Sequence, residues 1–198
     1  MEFTEVVRRR RMVRHFADEP VERSVLERIA LTAQRAPSAG FSQGQRVLIV
    51  TDPGLRKAVA AICGEEDGVG AGFDRWISEC AGLFIPCVSE EVYHARYRES
   101  DKLQDDGTEI DWPVPYWWMD IGCTVMLILL AAVDAGLAAG FAGTDAPGYV
   151  ALRALLGIPD DFSPIGIIPV GRPLPDKRSP SLKRGWRPQA DFARWEHW

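Results

Sequence analysis

A short basic segment near the start of the chain holds the residues best suited to chemistry. Five arginines lie between positions 8 and 14 of a chain whose formal net charge is −5, so the positive charge is local. Like charges packed this closely repel one another unless an anion lies among them. A guanidinium donates two parallel hydrogen bonds to neighbouring phosphate oxygens. The segment therefore indicates a small anionic ligand, a nucleic-acid patch or a solvated basic face.

Composition narrows these alternatives. The acidic balance argues against general nucleic-acid binding, which a basic domain usually performs. The four cysteines lack C-x-x-C spacing and the three histidines are scattered, which predicts reduced thiols and no metal site. No secretory signal opens the chain, and the longest apolar run, 121–142, is interrupted by glycine and aspartate. We therefore expect a cytoplasmic protein that binds neither membrane nor nucleic acid. No pattern indicates a nucleophile or a tuned acid–base pair, so no catalytic residue is predicted.

Helical and strand-like segments alternate along the chain, which indicates a sheet layered with helices. The most apolar helix, 120–135, is expected at the centre. The Gly-rich run 64–72 is not G-x-G-x-x-G and predicts a loop. Helical spacing covers 2–11, 19–33, 55–63, 120–135 and 150–156, and β-branched runs cover 47–51, 83–89 and 165–170.

Two segments lack a regular period. Residues 93–112 are polar, charged and aromatic, and predict a mobile insertion. The tail from 172 is rich in Pro, Arg and Trp, and three tryptophans are too apolar to remain in water. We expect one domain over 1–198, with a lid-like insertion at about 90–118 and a C-terminal arm at about 172–198.

Five segments resemble, in order, the FMN-dependent nitroreductase family. The first, R-R-M-V-R-H-F at 10–16, is similar to the family's R-R-S-V-R-x-F opening. The second, A-P-S-A-G-F-S-Q-G-Q-R at 36–46, is similar to A-P-S-x-x-N-x-Q-P-W-x and precedes a predicted strand. The other three are the central helix from 120 to Gly136-Leu137, the pair 156–159 and 170–173, and the arm 181–198.

The resemblance implies a fold and an activity. The fold would be α+β and three-layered, with a mixed or antiparallel sheet flanked by helices around a long central helix. The activity would be that of a homodimeric oxidoreductase that passes electrons from NAD(P)H through FMN to a small aromatic, nitro or quinone acceptor. The absence of a nucleophile fits this activity, because a flavin supplies the redox chemistry itself.

The resemblance also implies flavin-binding positions. Arg10 and Arg14, placed four apart on one helical face, are predicted to clamp the phosphate. This chain departs from the family pattern at Met12, which replaces Ser, at Phe41, which replaces Asn, and at Trp186, which takes the place of an arm Arg. The predicted flavin-binding set is Arg10, Arg11, Met12, Arg14, Ser38, Gly40, Phe41, Gln43, Phe141, Ala142 and Gly143, with Arg184 or Arg187 from the arm.

Substrate recognition is predicted in the insertion. Tyr97, Glu99 and Lys102 combine the residue types found in the lid of the iodotyrosine deiodinase branch. Trp117 is predicted either to wall an aromatic substrate pocket or to pack at a subunit interface. A deiodinase-like reductase of an aromatic amino acid is therefore one alternative. A degenerate flavin-binding member without nicotinamide turnover is a second, and a basic-patch interaction module is a third.

Overall fold

A computed structural model describes residues 1–177 and 179–198, so position 178 of the predicted arm lies outside the described residues. The α-helices are α1 (Phe3–Arg9), α2 (Arg23–Ala33), α3 (Pro53–Ile62), α4 (Glu65–Gly70), α5 (Glu90–Tyr97), α6 (Tyr116–Asp134), α7 (Ala146–Leu156) and α8 (Gln189–Phe192). The strands are β1 (Gln45–Val50), β2 (Gly82–Val88), β3 (Ala138–Ala139), β4 (Ser163–Pro164) and β5 (Ile168–Gly171).

The strands form one sheet in the order β1-β2-β5-β3, with β4 beside the end of β2. These strands pair antiparallel throughout. Met12 adds a parallel bridge to Ala139 at the β3 edge. Strand β2 is apolar without alternation, as expected for a strand buried on both faces, and all seven of its residues are buried.

Helices cover both faces of the sheet. Leu83 and Ile85 point into one apolar cluster, which includes residues of α3 and α7. Phe84 points into the other cluster, which includes residues of α2 and α6. The period of two along β2 therefore divides the core between two helical layers. The predicted α+β, three-layer fold around a long central helix is confirmed.

Helix α6 is the central element. It begins at Tyr116, earlier than the predicted start, and ends before Gly136, whose φ of 74° gives the left-handed turn of a helix C-cap. By length and composition α6 could cross a membrane, yet Ile121, Ile128 and Ala132 are buried in the protein core. Met119 and Met126 lie on its exposed side.

Three local predictions were wrong. The expected loop at 64–72 contains α4, whose first turn carries three acidic residues that favour the helix N-terminus. The expected irregular insertion begins with α5. Helix α1 ends at Arg9 rather than at position 11, because Met12 pairs with Ala139.

Candidate functional site

The basic segment divides into two parts. Arg8 donates two hydrogen bonds to Glu5, at 2.7 and 2.8 Å, and Arg9 binds the same carboxylate. Hydrogen bonds from Arg8 and then from Arg9 lower the pKa of Glu5 to about 2. Among the described residues, Arg10 and Arg11 have no side-chain hydrogen bond and no ion pair. The first two arginines therefore share the Glu5 carboxylate within α1, and the guanidiniums beyond α1 are available to a ligand.

Residues 10–14 leave the helix and run beside β3. The amide of Val13 donates to the carbonyl of Ala139 at 3.1 Å, and Val13 is buried. Alternation along an extended segment places Arg10, Met12 and Arg14 on the opposite side from Val13. The prediction that Arg10 and Arg14 share one face of a helix is therefore wrong. The two-residue period of an extended segment nevertheless places both side chains on the same side.

Trp76 forms a wall of this half of the site, and the sequence analysis missed it. The Arg14 guanidinium lies 5.5 Å from the centroid of the Trp76 ring, a cation–π arrangement. A Cβ added at Gly140 would lie 2.6 Å from both Trp76 and the carbonyl of Val13. Only glycine at position 140 therefore lets the backbone after β3 pass this close to Trp76 and to the backbone of Val13. The signal in the sequence was weak, because Trp76 lies in a segment without a period.

The predicted segment Phe141–Gly143 lies on the same side of the molecule as Arg14. Ala142 exchanges backbone hydrogen bonds with Ile167 at 3.0 and 2.8 Å, which fixes the segment directly after β3. The ring of Phe141 lies where a Cβ of Gly166 would be, at 2.6 Å. This segment and Arg10–Arg14 make up what we call the arginine half-site.

The second group, Ser38–Gln43, forms a tight turn that we call the loop half-site. Its anchor is Asp120, which is 4% exposed and accepts hydrogen bonds from the Ala39 amide and the Tyr93 hydroxyl, each at 2.9 Å. Within the turn, Ser38 Oγ accepts from the Gln43 amide at 3.0 Å and keeps its own proton for another acceptor. Asp120 was not predicted, although a carboxylate near the start of an apolar helix was the available signal.

The loop half-site holds strained backbone. Phe41 and Gln43 have φ values of 56° and 55°, in the left-handed region that non-glycine residues rarely occupy. Phe41 is 75% exposed, so no burial of its side chain accounts for this conformation. Strain of this kind concentrates at ligand sites.

Helix α5 packs directly on the loop half-site. Arg96 Nε donates to the Gly40 carbonyl at 3.1 Å. The Tyr97 ring occupies the position where a Cβ of Gly40 would be, at 2.5 Å, and contacts Trp112 at a centroid distance of 4.5 Å. The Lys102 ammonium lies 5.7 Å from the Tyr97 ring.

Two other predicted substrate residues, Glu99 and Trp117, already contact neighbouring side chains within the chain. Glu99 accepts a hydrogen bond from Arg96 at 2.9 Å, and Arg96 also binds Asp101 through two hydrogen bonds of 2.7 Å. That guanidinium lowers the pKa of Asp101 to about 2. Trp117 is buried between Tyr93 and His94. Tyr97, Glu99 and Lys102 are thus brought together near Gly40, and Trp117 lies behind them.

Ion pairs hold the insertion in place. His94 Nδ1 and Arg98 Nε both bind Glu109, and Trp112 Nε1 donates to the same carboxylate at 2.6 Å. The hydrogen bond to Glu109 raises the pKa of His94. Burial, and then the hydrogen bond to Asp120, raise the pKa of Tyr93, so its hydroxyl stays protonated as a donor.

The two half-sites are far apart within one chain. The loop half-site is attached at Asp120 near the start of α6, whereas the arginine half-site lies beside β3, which follows the end of α6. Asp120 and Asp134 are separated by about 21 Å at 1.5 Å per residue. Strands β1 and β3 are three strand spacings, or about 14 Å, apart at opposite edges of the sheet. Residues 10–14 and the loop half-site therefore lie beside different ends of α6 and at opposite edges of the sheet.

The C-terminal arm is exposed over its described residues from 179 onward. Its beginning is fixed, because the Arg14 amide donates to Asp176 at 2.8 Å and the His15 ring binds the Pro175 carbonyl at 2.7 Å. Beyond that point Arg184, Arg187 and Trp186 are exposed. The arm begins at the arginine half-site, but the structure does not place Arg184 or Arg187 against it.

The Nitroreductase family's sequence model matches residues 7–67, which contain both the arginine segment and the loop half-site. A solved structure of Bacillus megaterium NfrA2 superposes on the whole chain and on 75% of its own, with a TM-score of 0.77 and 20% identity. The fold is that of the nitroreductase family. The resemblance inferred from the sequence is thereby confirmed.

Another solved structure and two curated relatives are similar to this chain over more than nine-tenths of its length. The NADPH:FMN oxidoreductase of Vibrio harveyi, solved with NAD⁺, has a TM-score of 0.73 at 18% identity, over 99% of this chain and 77% of its own. Iodotyrosine deiodinase of Nematostella vectensis is 28% identical over 92% of this chain and 71% of its own length. The human deiodinase is 26% identical over 92% of this chain and 65% of its own. The chain thus spans about two thirds of these curated relatives.

Metal chemistry has no candidate site in the parts of the chain described, where no cluster of three or more His, Cys, Asp and Glu side chains was found. The four cysteines are free thiols. Burial raises the pKa of Cys80 to about 12 and those of Cys63 and Cys87 to about 11, so these three thiols are poor nucleophiles at neutral pH.

Proposed function

We propose that this nitroreductase-like protein is an FMN-dependent oxidoreductase that takes electrons from NAD(P)H and passes them to a small aromatic, nitro or quinone acceptor. The observation that carries the proposal is the pair of half-sites. The arginine half-site offers guanidiniums without carboxylate partners. The loop half-site offers a strained turn on which α5 and its aromatic side chains pack. When bound, FMN would supply the redox chemistry, as flavins do.

The arginine half-site fits the phosphate. Arg10 and Arg14 project from the same side of an extended segment, whereas Arg11 projects from the other side and adds positive charge to the segment. The backbone of Met12 remains available as a donor where the family has a hydroxyl. We propose that Arg184 or Arg187 reaches the phosphate from the arm.

The isoalloxazine ring of FMN would lie between Phe141–Gly143 and the loop half-site. Ser38 has a free hydroxyl proton, and Gly40, Phe41 and Gln43 present backbone groups at a tight turn. Asp120 anchors the loop half-site near the start of α6, whereas residues 10–14 run beside β3, which follows the end of α6. We therefore propose a homodimer in which each flavin site combines the arginine half-site of one subunit with the loop half-site of the other.

Exposed apolar surface supports the dimer. Met119 and Met126 on α6, Phe3 on α1 and the tryptophans of the arm are exposed in the single chain. Large apolar side chains exposed on a single chain are often buried in interfaces between subunits. We propose that the arm wraps the partner subunit and buries Trp186, Trp195 and Trp198.

We propose that α5 and the following loop act as a lid that selects the acceptor. Tyr97 covers Gly40, Lys102 and Glu99 lie at its edge, and Trp117 supports the aromatic cluster from behind. Specificity is commonly carried by such segments on a rigid scaffold. The lid would also exclude water from the reduced cofactor.

The test begins with the absorbance spectrum of the purified protein after addition of FMN. We expect a bound flavin that NADH or NADPH bleaches without oxygen and that recovers its colour with a quinone or nitroaromatic acceptor. A protein that retains FMN but is reduced only by dithionite would support the degenerate flavin-binding alternative. A protein that binds no FMN would contradict the proposal.

A deiodinase-like activity is the second candidate. It is favoured by 26–28% identity to iodotyrosine deiodinases over 92% of this chain and by the grouping of Tyr97, Glu99 and Lys102 at the lid. Release of iodide from iodotyrosine by the reduced protein would support it. Turnover of quinones without iodide release would leave the general oxidoreductase as the function.

A further inference from the structure

A cavity of about 600 Å³ lies outside both half-sites and the lid. It is bounded by α3, α4 and the segment before β2. Arg56, from the first turn of α3, lines the cavity together with Lys57, Glu65 and Ser78. None of these residues has a role in the flavin site proposed above.

Arg56 is the unusual member of this lining. It is 8% exposed, and its Nε atom is buried without a hydrogen-bond partner. Within residues 1–177 and 179–198, no carboxylate lies within ion-pair distance of its guanidinium, and the side chain makes no hydrogen bond. A buried charge is normally paired, because an unpaired one loses its hydration without compensation.

Two carboxylates of the cavity lining, Glu65 and Glu66, bind other donors. Glu65 accepts the amides of Trp76, Ile77 and Ser78 at 2.9, 2.6 and 3.1 Å, and the Ser78 hydroxyl as well. Glu66 binds Arg75 through two hydrogen bonds, of 3.1 and 2.8 Å. These contacts hold the cavity wall in place and leave Arg56 without a partner from either side chain.

The rim carries charges of both signs. Lys57 is exposed and adds a second cation next to Arg56, whereas Asp18 and Glu79 are exposed carboxylates outside ion-pair distance of the guanidinium. Solvent screens the rim carboxylates more than the buried guanidinium. Among the described residues of the lining, Arg56 is the one with a buried side-chain donor that lacks a partner.

We propose that this cavity binds a small oxyanion of the phosphate class, held by Arg56 with Lys57 at its edge. The planar guanidinium matches two oxygens of such an anion, and burial strengthens the contact. Asp18 and Glu79 repel additional negative charge, so the site favours a small anion over a polyphosphate. This inference does not depend on the proposed flavin chemistry.

The test is calorimetric titration of inorganic phosphate at low ionic strength into protein saturated with FMN, so that the proposed flavin phosphate site is filled. If the chain binds no FMN, the Arg10→Met, Arg14→Met double variant removes the same competing site. We expect one phosphate per chain. Arg56→Met should weaken binding at least about tenfold, and Lys57→Met should weaken it a few-fold. Glu79→Gln should tighten binding, because it removes a repelling charge.

The variants also have a stability readout. Arg56→Met removes an unpaired buried charge, so without phosphate its melting temperature should equal or exceed that of the wild type, and phosphate should no longer raise it. Arg56→Lys keeps the charge without the fork and should bind phosphate with intermediate affinity. Unchanged phosphate affinity in Arg56→Met, or no binding by the wild type at about 10 mM phosphate, would overturn the proposal. A large loss of stability in phosphate-free Arg56→Met would also overturn it, because Arg56 would then act within the fold.

Discussion

At the residue scale, the arginines separate by whether they have a partner. Arg8 and Arg9 are bound by Glu5, whereas the guanidiniums of Arg10, Arg11 and Arg14 have no carboxylate partner among the residues described. The distinction favours the extended part of the segment as the proposed anion site and predicts different results for substitutions only a few residues apart.

Arg14→Ala should weaken FMN binding by roughly 1.5–3 kcal/mol, because it removes a charge-assisted contact with the phosphate. Its amide bond to Asp176 does not involve the side chain and is retained. Riboflavin, which lacks the phosphate, should bind with little change. The matched control is Arg8→Ala, which should leave both affinities unaltered. Fluorescence titration measures all four values, and an equal loss for FMN and riboflavin would show that Arg14 acts on the fold.

Phe41→Asn should raise the stability of the protein by about 1 kcal/mol, because asparagine tolerates the left-handed conformation and the phenyl ring is not buried. If Phe41 lies over the flavin, the same variant should raise the KM for aromatic acceptors while FMN remains bound. Thermal unfolding and steady-state kinetics test the two effects separately. A lower melting temperature would mean that the ring has a packing role in the assembled protein.

At the element scale, three short contacts link α5, the 38–43 turn and α6. Asp120 joins Ala39 to Tyr93, and Arg96 reaches Gly40. Helix α5 and the loop half-site are therefore directly linked, so a change in α5 is expected to reach the proposed flavin site through Gly40 and Ala39.

The stability that the His94 ion pair contributes should depend on pH, because His94 titrates. Its ring faces Glu109 and Glu90, with Arg98 bound to the same Glu109, and the bond to Glu109 raises its pKa. Because the folded pKa lies above the unfolded value, this contribution is complete below the unfolded pKa and is lost as pH rises through the folded one. The difference in melting temperature between wild type and His94→Gln should therefore be largest at low pH and shrink at higher pH. A difference that does not vary with pH would exclude the ion pair as its source.

Tyr97→Ala should change the ranking of acceptors and raise KM, because it removes the ring that covers Gly40 and contacts Trp112. Lys102→Met should have a smaller effect of the same kind. Arg8→Met, which breaks an exposed pair with Glu5 on α1, is the control and should behave as wild type. Wild-type kinetics in Tyr97→Ala with every acceptor would show that the segment does not contribute to the selection of the acceptor.

The elements that the sequence predicted best were those with a strong hydrophobic period. Strand β2 and helix α6 follow directly from their apolar patterns. Tertiary contacts decided the others, because Met12 pairs with Ala139 and so ends α1 early, and the amides at 76–78 satisfy the carboxylate of Glu65 at the start of α4. Asp120 and Trp76 were missed because their partners lie about 80 and 60 residues away, respectively.

At the scale of the whole molecule, the separation of the half-sites is the decisive feature. Each half-site is fixed by its own contacts, and α6 holds them apart. In the two-fold dimer that we propose, the arginine half-site of one subunit would lie opposite the loop half-site of the other, and symmetry would repeat this arrangement at a second site. The exposed tryptophans of the arm give this dimer further apolar area to bury.

Subunit complementation tests this account most directly. One variant carries Arg10→Ala and Arg14→Ala, and the other carries Ser38→Trp, which fills the place of the ring; each alone should form dimers of normal mass without FMN. When both are co-expressed, random pairing gives half mixed dimers, each with one intact site of two, so roughly a quarter of the wild-type FMN content should return. Recovery at that level, with NAD(P)H-dependent bleaching, is the predicted result. No recovery in mixed dimers verified by mass would contradict the shared site.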